Sequence, residues 1–172
     1  ETWNWIFQQT TWVYDKGIEI LSEYGDHPIL KGLILTGDLT TDMNNYQWNL
    51  WGRTSAYYSM ECSRIFQEVF NVEIETGDVD KFENARVRPV MGLQFANTSE
   101  VGLEWMKYDL LKKPSDYFYS IAVAPYMSVA NDCVTVNDII DGFTSSLSNI
   151  EPMFDRAQSI ASSNNLLINA YE

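Results

Sequence analysis

In the second half of the chain, apolar residues recur alternately at helical spacing and in runs too short for a helix. This alternation constrains the fold more than any other feature. Residues 86–95 carry Val87, Val90, Met91, Leu93 and Phe95 and predict a strand, whose effective start Pro89 shifts inward because proline donates nothing to a ladder. Residues 99–112 set Val101, Trp105, Tyr108 and Leu111 on one side of a short helix that Pro114 stops. Residues 116–125 are mostly apolar, as a buried parallel strand would be. Thr135 with Asp138 three residues on is an acidic variant of the helix-capping pattern. Ile139, Phe143, Leu147, Ile150, Phe154, Ala157 and Ala161 then recur at helical spacing, with a break or restart expected at Pro152. Residues 166–171 close the series as a third strand. Such alternation implies parallel strands joined by right-handed crossovers, in an open sheet or in part of a barrel. No glycine-rich loop follows any strand, so the nucleotide-binding form of the open sheet loses its main support.

The first half is less periodic. A helix is expected with Val13, Gly17, Ile20, Leu21 and Tyr24 on one face, ended by Gly25, Asp26 and Pro28. Residues 29–36 form an apolar run of ambiguous type, and residues 36–49, rich in Thr, Asp and Asn, read as a long loop. A second helix follows, with Tyr58, Cys62, Ile65, Phe66 and Val69 as its apolar stripe and Glu61, Arg64 and Glu68 facing elsewhere. Residues 73–84 make a polar connection. The length suits one domain, residues 1–172, with enough chain to bury a core.

The function classes open to this chain are narrowed by its charge. It carries 11 Lys and Arg against 24 Asp and Glu, a net of −13, and no basic patch interleaved with aromatics. A nucleic-acid partner is disfavoured, since a phosphate backbone is held by dense positive charge. No apolar run approaches the roughly 20 residues of a membrane span. The acidity reads as solubility and suits an extracellular or cell-surface setting. His27 is the sole histidine, which excludes a histidine-cluster zinc site and a Ser-His-Asp set. Asp38, Asp42 and Asn45 could line a cation site, but turn-forming chemistry accounts for them better; no metal and no cofactor is expected. Cys62 and Cys133 belong to no redox or metal motif and read as two free thiols. Asn97-Thr98-Ser99 matches the N-glycosylation pattern, which is common by chance. The first residue is not Met, and the apolar segment 166–171 stops abruptly at Glu172; both ends read as cuts through ordered structure.

If the strands are parallel, their carboxyl ends share one edge, and the residues that follow them line the natural place for a site. The opening Glu1-Thr2-Trp3-Asn4-Trp5 resembles the segment after the fourth strand in retaining (β/α)8-barrel glycoside hydrolases of the clan with two catalytic glutamates at strand ends. The closing Leu166-Leu167-Ile168-Asn169-Ala170-Tyr171-Glu172 resembles the seventh strand of that clan, ending in its nucleophile. Residues 86–97 and 117–127 then fall where strands five and six belong. The fold class this implies is α/β: a partial (β/α)8 barrel of approximately strands five to seven with the preceding and intervening helices. The asparagine that commonly precedes the acid/base glutamate in the clan would lie before Glu1. Glu1 and Glu172 are also further apart in sequence than in compact members.

The resemblance implies Glu1 as acid/base and Glu172 as nucleophile. One carboxyl must be protonated to donate to the glycosidic oxygen, and the other ionised to attack the anomeric carbon. Retention needs them about 5–5.5 Å apart, inversion roughly 6.5–9.5 Å. Their closeness itself separates the roles, because each charge raises the cost of ionising the other. The bland alternative is two ordinary exposed acids among 24. Trp3 and Trp5 adjoin Glu1 and offer flat faces for sugar rings. For Trp12, Trp48 and Trp51, core or loop packing is the expectation, and Trp105 reads as core. Tyr126 is placed to hydrogen-bond the nucleophile, with a structural tyrosine as the alternative. Gln94 is a candidate partner for a sugar hydroxyl, and Tyr171 joins the substrate-binding candidates at the end of the last strand. The partners implied are a carbohydrate and the remainder of the same polypeptide. The competing expectation is a non-catalytic surface or matrix protein that keeps the barrel as a glycan-binding scaffold.

Overall fold

The computed structural model describes residues 8–70, 85, 87–94, 100–127, 129–130 and 132–171. Two helices come first, α1 (Gln8–Glu23) and α2 (Leu39–Val69), separated by a 3-10 turn at Pro28–Leu30. Then β1 (Val90–Gly92), α3 (Val101–Glu104) with a π turn at Trp105–Asp109, β2 (Ser120–Val123), α4 (Val136–Ser163) and β3 (Leu167–Ala170) follow. The three strands form a parallel sheet in the order β1-β2-β3. The register aligns Met91 with Ile121 and Ile121 with Ile168.

This order decides where the helices go. Two right-handed crossovers that advance in one direction put both connecting helices on the same sheet face. One core accordingly gathers Met91, Leu93, Ile121 and Val123 from the strands with Leu103, Met106, Ala157 and Ile160 from the helices. A doubly wound sheet reverses its strand order to carry helices on both faces. Among the described residues no reversal occurs. The β-α-β-α-β unit is consistent with a partial, unclosed β/α barrel.

The region expected as a loop at 36–49 is instead the start of α2. Asp38 caps it, its Oδ1 accepting from the Thr41 N–H at 2.9 Å and the Thr41 hydroxyl at 2.6 Å. Asp42 is buried and accepts from the Thr36 amide (2.9 Å) and hydroxyl (2.9 Å), the Gly37 amide and the Tyr24 hydroxyl (both 3.1 Å). The polar residues that looked like a loop are the helix's own start signal. Asp38 and Asp42 are thereby used structurally, and no cluster of three or more His, Cys, Asp or Glu suited to a metal occurs among the described residues.

Further along α2, the expected stripe is corrected too. Cys62, Ile65, Phe66 and Val69 are exposed, while Leu50, Ala56, Met60, Ser63 and Gln67 are buried. Polar residues occupy that inner face because the segment before β2 presents a carbonyl there. Ser63 donates to the Tyr117 carbonyl, and Gln67 Nε2 donates to Ser63 Oγ at 2.8 Å. Arg53 is buried as well, donating to the Ile29 and Lys31 carbonyls (3.1 and 2.7 Å) and pairing with Asp109 at 2.8 Å. This single side chain ties α2 to the 3-10 turn and to the end of the π turn.

The face of α1 is as expected: Val13, Gly17, Ile20 and Leu21 are buried. The helix at 99–112 is shorter in its α part than expected, and its π turn carries Tyr108 out to solvent, as Leu111 beyond it also is. Trp105 remains in the core, its Nε1 donating to the Pro28 carbonyl at 3.1 Å. Pro152 lies inside one continuous α4 rather than at a break. It sits among exposed residues, so solvent can reach the Ser148 carbonyl that its missing N–H would have met. Cys62 and Cys133 are both free thiols.

Candidate functional site

Strand pairing extends one residue beyond the ends of β1 and β3. The Leu93 N–H donates to the Ala122 carbonyl at 2.9 Å, and the Tyr171 N–H to the Val123 carbonyl at 3.1 Å. Gln94, the Ala124-Pro125-Tyr126 turn and Tyr171 therefore lie along one edge, the carboxyl-terminal edge of the sheet. Side chains alternate along a strand, so the aligned set Gly92, Ala122 and Asn169 continues two residues later as Gln94, Ala124 and Tyr171. The other set, Met91, Leu93, Ile121 and Val123, is in the core. Gln94 and Tyr171 thus belong to the face opposite that core set. Both are half-buried, whereas Tyr126 is 64% exposed just past the edge, in a turn whose N–H reaches the Ala124 carbonyl at 3.0 Å.

On that face, Asn169 Nδ2 donates to Ser120 Oγ at 2.7 Å, across the β2–β3 pair. Asn169 was not singled out in the sequence, although the step Leu167, Asn169, Tyr171 along β3 puts it on the face of Tyr171. The structure thus brings Gln94, Tyr126 and Tyr171 to one edge. Glu1, Trp3, Trp5 and Glu172 lie outside the described residues, as does the Asn97-Thr98-Ser99 pattern.

The opposite end of the sheet holds a groove of about 400 Å³ between α1, α2 and the approach to β1. Trp12, Tyr58, Phe66, Pro89 and Phe118 wall it, and Ser55, Ser59 and Ser63 lie one helical turn apart along α2. Trp12 meets Tyr58 edge to face at 5.0 Å. Tyr58, Cys62 and Phe66, expected as a core stripe, are walls of this groove. The sequence signal for it was the i, i+4, i+8 run of serines, a polar ridge next to an apolar one.

His27 and Asp42, between α1 and α2 and in the first turn of α2, both depart from their ordinary values. Burial pushes His27 below its usual range, the Glu23 charge opposing and Lys16 reinforcing that effect. Its Nδ1 accepts from the Ile29 N–H at 3.2 Å, and its ring meets Tyr57 at 5.2 Å. At Asp42, burial would raise the carboxyl, but the hydrogen bonds from Thr36, Tyr24 and Gly37 outweigh it and hold the group below the usual range. Neither lies at the carboxyl-terminal edge.

No family model matches the chain, and neither a curated protein nor a solved structure matches it.

Proposed function

We propose that residues 1–172 are the carboxyl-terminal part of a retaining glycoside hydrolase-like barrel acting on a polysaccharide or oligosaccharide outside the cell or at its surface. The observation that supports this reading is the sequential parallel order of β1, β2 and β3, with helices on one face and Gln94, Tyr126 and Tyr171 at one edge. Barrel enzymes place their reacting groups at that edge. In this reading the Glu172 carboxylate attacks the anomeric carbon while Glu1 protonates the departing glycosidic oxygen, giving a glycosyl ester. Water, deprotonated by Glu1, then displaces Glu172 and restores both groups. Trp3 and Trp5 stack on the sugar, Gln94 and Tyr171 meet its hydroxyls, and Tyr126 holds Glu172 in place. The strands that complete the barrel come from the rest of the same polypeptide.

The test is Glu172→Gln in the complete protein, with glycan turnover measured. Loss of more than about a thousandfold is expected for removal of a nucleophile. Unchanged turnover would end the assignment. Glycan binding with no turnover in the unmutated protein would leave the non-catalytic scaffold in its place.

A further inference from the structure

The 3-10 turn at Pro28–Leu30 ties three elements together. Its Pro28 carbonyl accepts from Trp105 Nε1 at 3.1 Å, and the Ile29 and Lys31 carbonyls accept from Arg53 at 3.1 and 2.7 Å. Arg53 in turn pairs with Asp109 at the end of the π turn. The first free N–H of this turn, that of Ile29, is met by one side chain, His27, whose Nδ1 accepts from it at 3.2 Å. We propose that His27 is an acid-operated latch: protonation of its ring opens the Pro28–Leu30 turn and loosens the hold of that turn on Trp105 and Arg53, while the sheet stays paired.

The chemistry of imidazole carries this. To accept at Nδ1, the neutral ring must hold its proton at Nε2. Imidazolium donates at both nitrogens, so no turn of the ring restores the bond. Two N–H groups would then face each other, one of them on the fully buried Ile29, and a buried donor left unmet is costly. The ring lies edge to face with Tyr57 of α2 at 5.2 Å; beyond Tyr57, Glu61 and Arg64 pair with each other. Asp26 precedes His27 in the chain. From α1, Glu23 favours the charged ring and Lys16 opposes it, and burial outweighs Glu23. The closed latch therefore binds its proton below the ordinary value of about 6.5, and the open one near that value. Opening is favoured as pH falls below about 6.5, and the effect levels off below the closed value. Release is local because other ties between the elements do not titrate: Ala56 packs on Gly102, and Ser63 donates to the Tyr117 carbonyl. His27 is the sole histidine, so no other imidazole shares the transition.

Hydrogen exchange of the whole chain, followed by NMR at neutral pH and at about pH 5, reads the latch directly. Protection is taken relative to the unstructured rate at the same pH. From the higher to the lower pH, protection of the Ile29 amide and of the Trp105 indole N–H should fall by at least about twofold. At the lower pH both should exchange at least about tenfold more freely than the β2 amides, because the latch opens without the sheet. In His27→Asn, which keeps an acceptor and does not titrate, the fall should vanish. In His27→Lys, a donor at either pH, protection at both groups should be low throughout. Should the variants not fold, the midpoint of the fall in the parent must match that of the His27 ring proton shifts. No fall, a fall that persists in His27→Asn or has another midpoint, or protection of Ile29 and Trp105 equal to that of β2 would each overturn the proposal.

Discussion

Asp42 and His27 respond to acid for opposite electrostatic reasons. The folded carboxyl of Asp42 lies below its unfolded value of about 3.9, so its contribution is present above that pH and is lost as pH falls through the lower folded value. Asp42→Asn, which cannot accept all four hydrogen bonds, should lower the unfolding midpoint at neutral pH and flatten the steep acid limb of a pH-stability curve. His27 has a folded value below its unfolded one of about 6.5, so the unfolded chain binds the extra proton first. Stability should therefore decline as pH drops through about 6.5 and level off below the folded value. Protonation also removes the Nδ1 acceptor that caps the Pro28 turn. In His27→Asn, which retains an acceptor without that titration, denaturant midpoints between neutral pH and about 5 should lose this component. Arg53 belongs with these residues: Arg53→Ala strips two carbonyls and Asp109 of their shared donor and should cost about 3 kcal/mol in chemical denaturation.

Helix contacts depend on single atoms. A Cβ at Gly102 would sit 2.6 Å from the Ala56 Cβ and 2.8 Å from the Gly52 carbonyl oxygen, so α2 and α3 touch only because this position has no side chain. Gly102→Ala should cost about 1–3 kcal/mol, since neither a Cβ nor a backbone oxygen can swing away. Gly25→Ala, with nothing within 4 Å of its added Cβ, is the control and should be near neutral. At the start of α4, the Thr135 hydroxyl accepts from the Asp138 N–H at 3.2 Å, and Asp138 accepts from the Thr135 N–H at 2.7 Å. Thr135→Ala should lower stability by about 1 kcal/mol if the two halves of α4 unfold together. Loss of helical circular dichroism confined to the exposed first half, with no change in global unfolding, would show that they do not.

For the molecule as a unit, net charge and sheet edges matter most. A net of −13 on 172 residues means self-repulsion, so added salt should stabilise the fold. Raising ionic strength from about 0.01 M to about 0.1 M shortens the Debye length from about 30 to about 10 Å, and the thermal midpoint should rise over that range. An unchanged or falling midpoint would mean that local pairs such as Arg53–Asp109 outweigh the long-range field. The outer edges of β1 and β3 meet no further strand among the described residues, which is why the barrel reading looks to more of the same polypeptide.

Much of this arrangement was legible in the residues. The positions of the three strands, the buried face of α1, the Thr135–Asp138 cap and the burial of Trp105 all rest on signals within a turn or two of chain, where local chemistry suffices. Parallel strands and their shared edge followed from the alternation, and with them the grouping of Gln94, Tyr126 and Tyr171. The inner face of α2 could not be read the same way. Arg53, Ser63 and Gln67 are turned inward by partners distant in sequence, Ile29, Lys31, Asp109 and Tyr117. Nor could the start of α2 be told from a loop, because Thr, Asp and Asn serve both caps and turns. Strand order and the single helical face belong to the fold as well, since a sheet's neighbours are chosen by packing between segments that no local window contains.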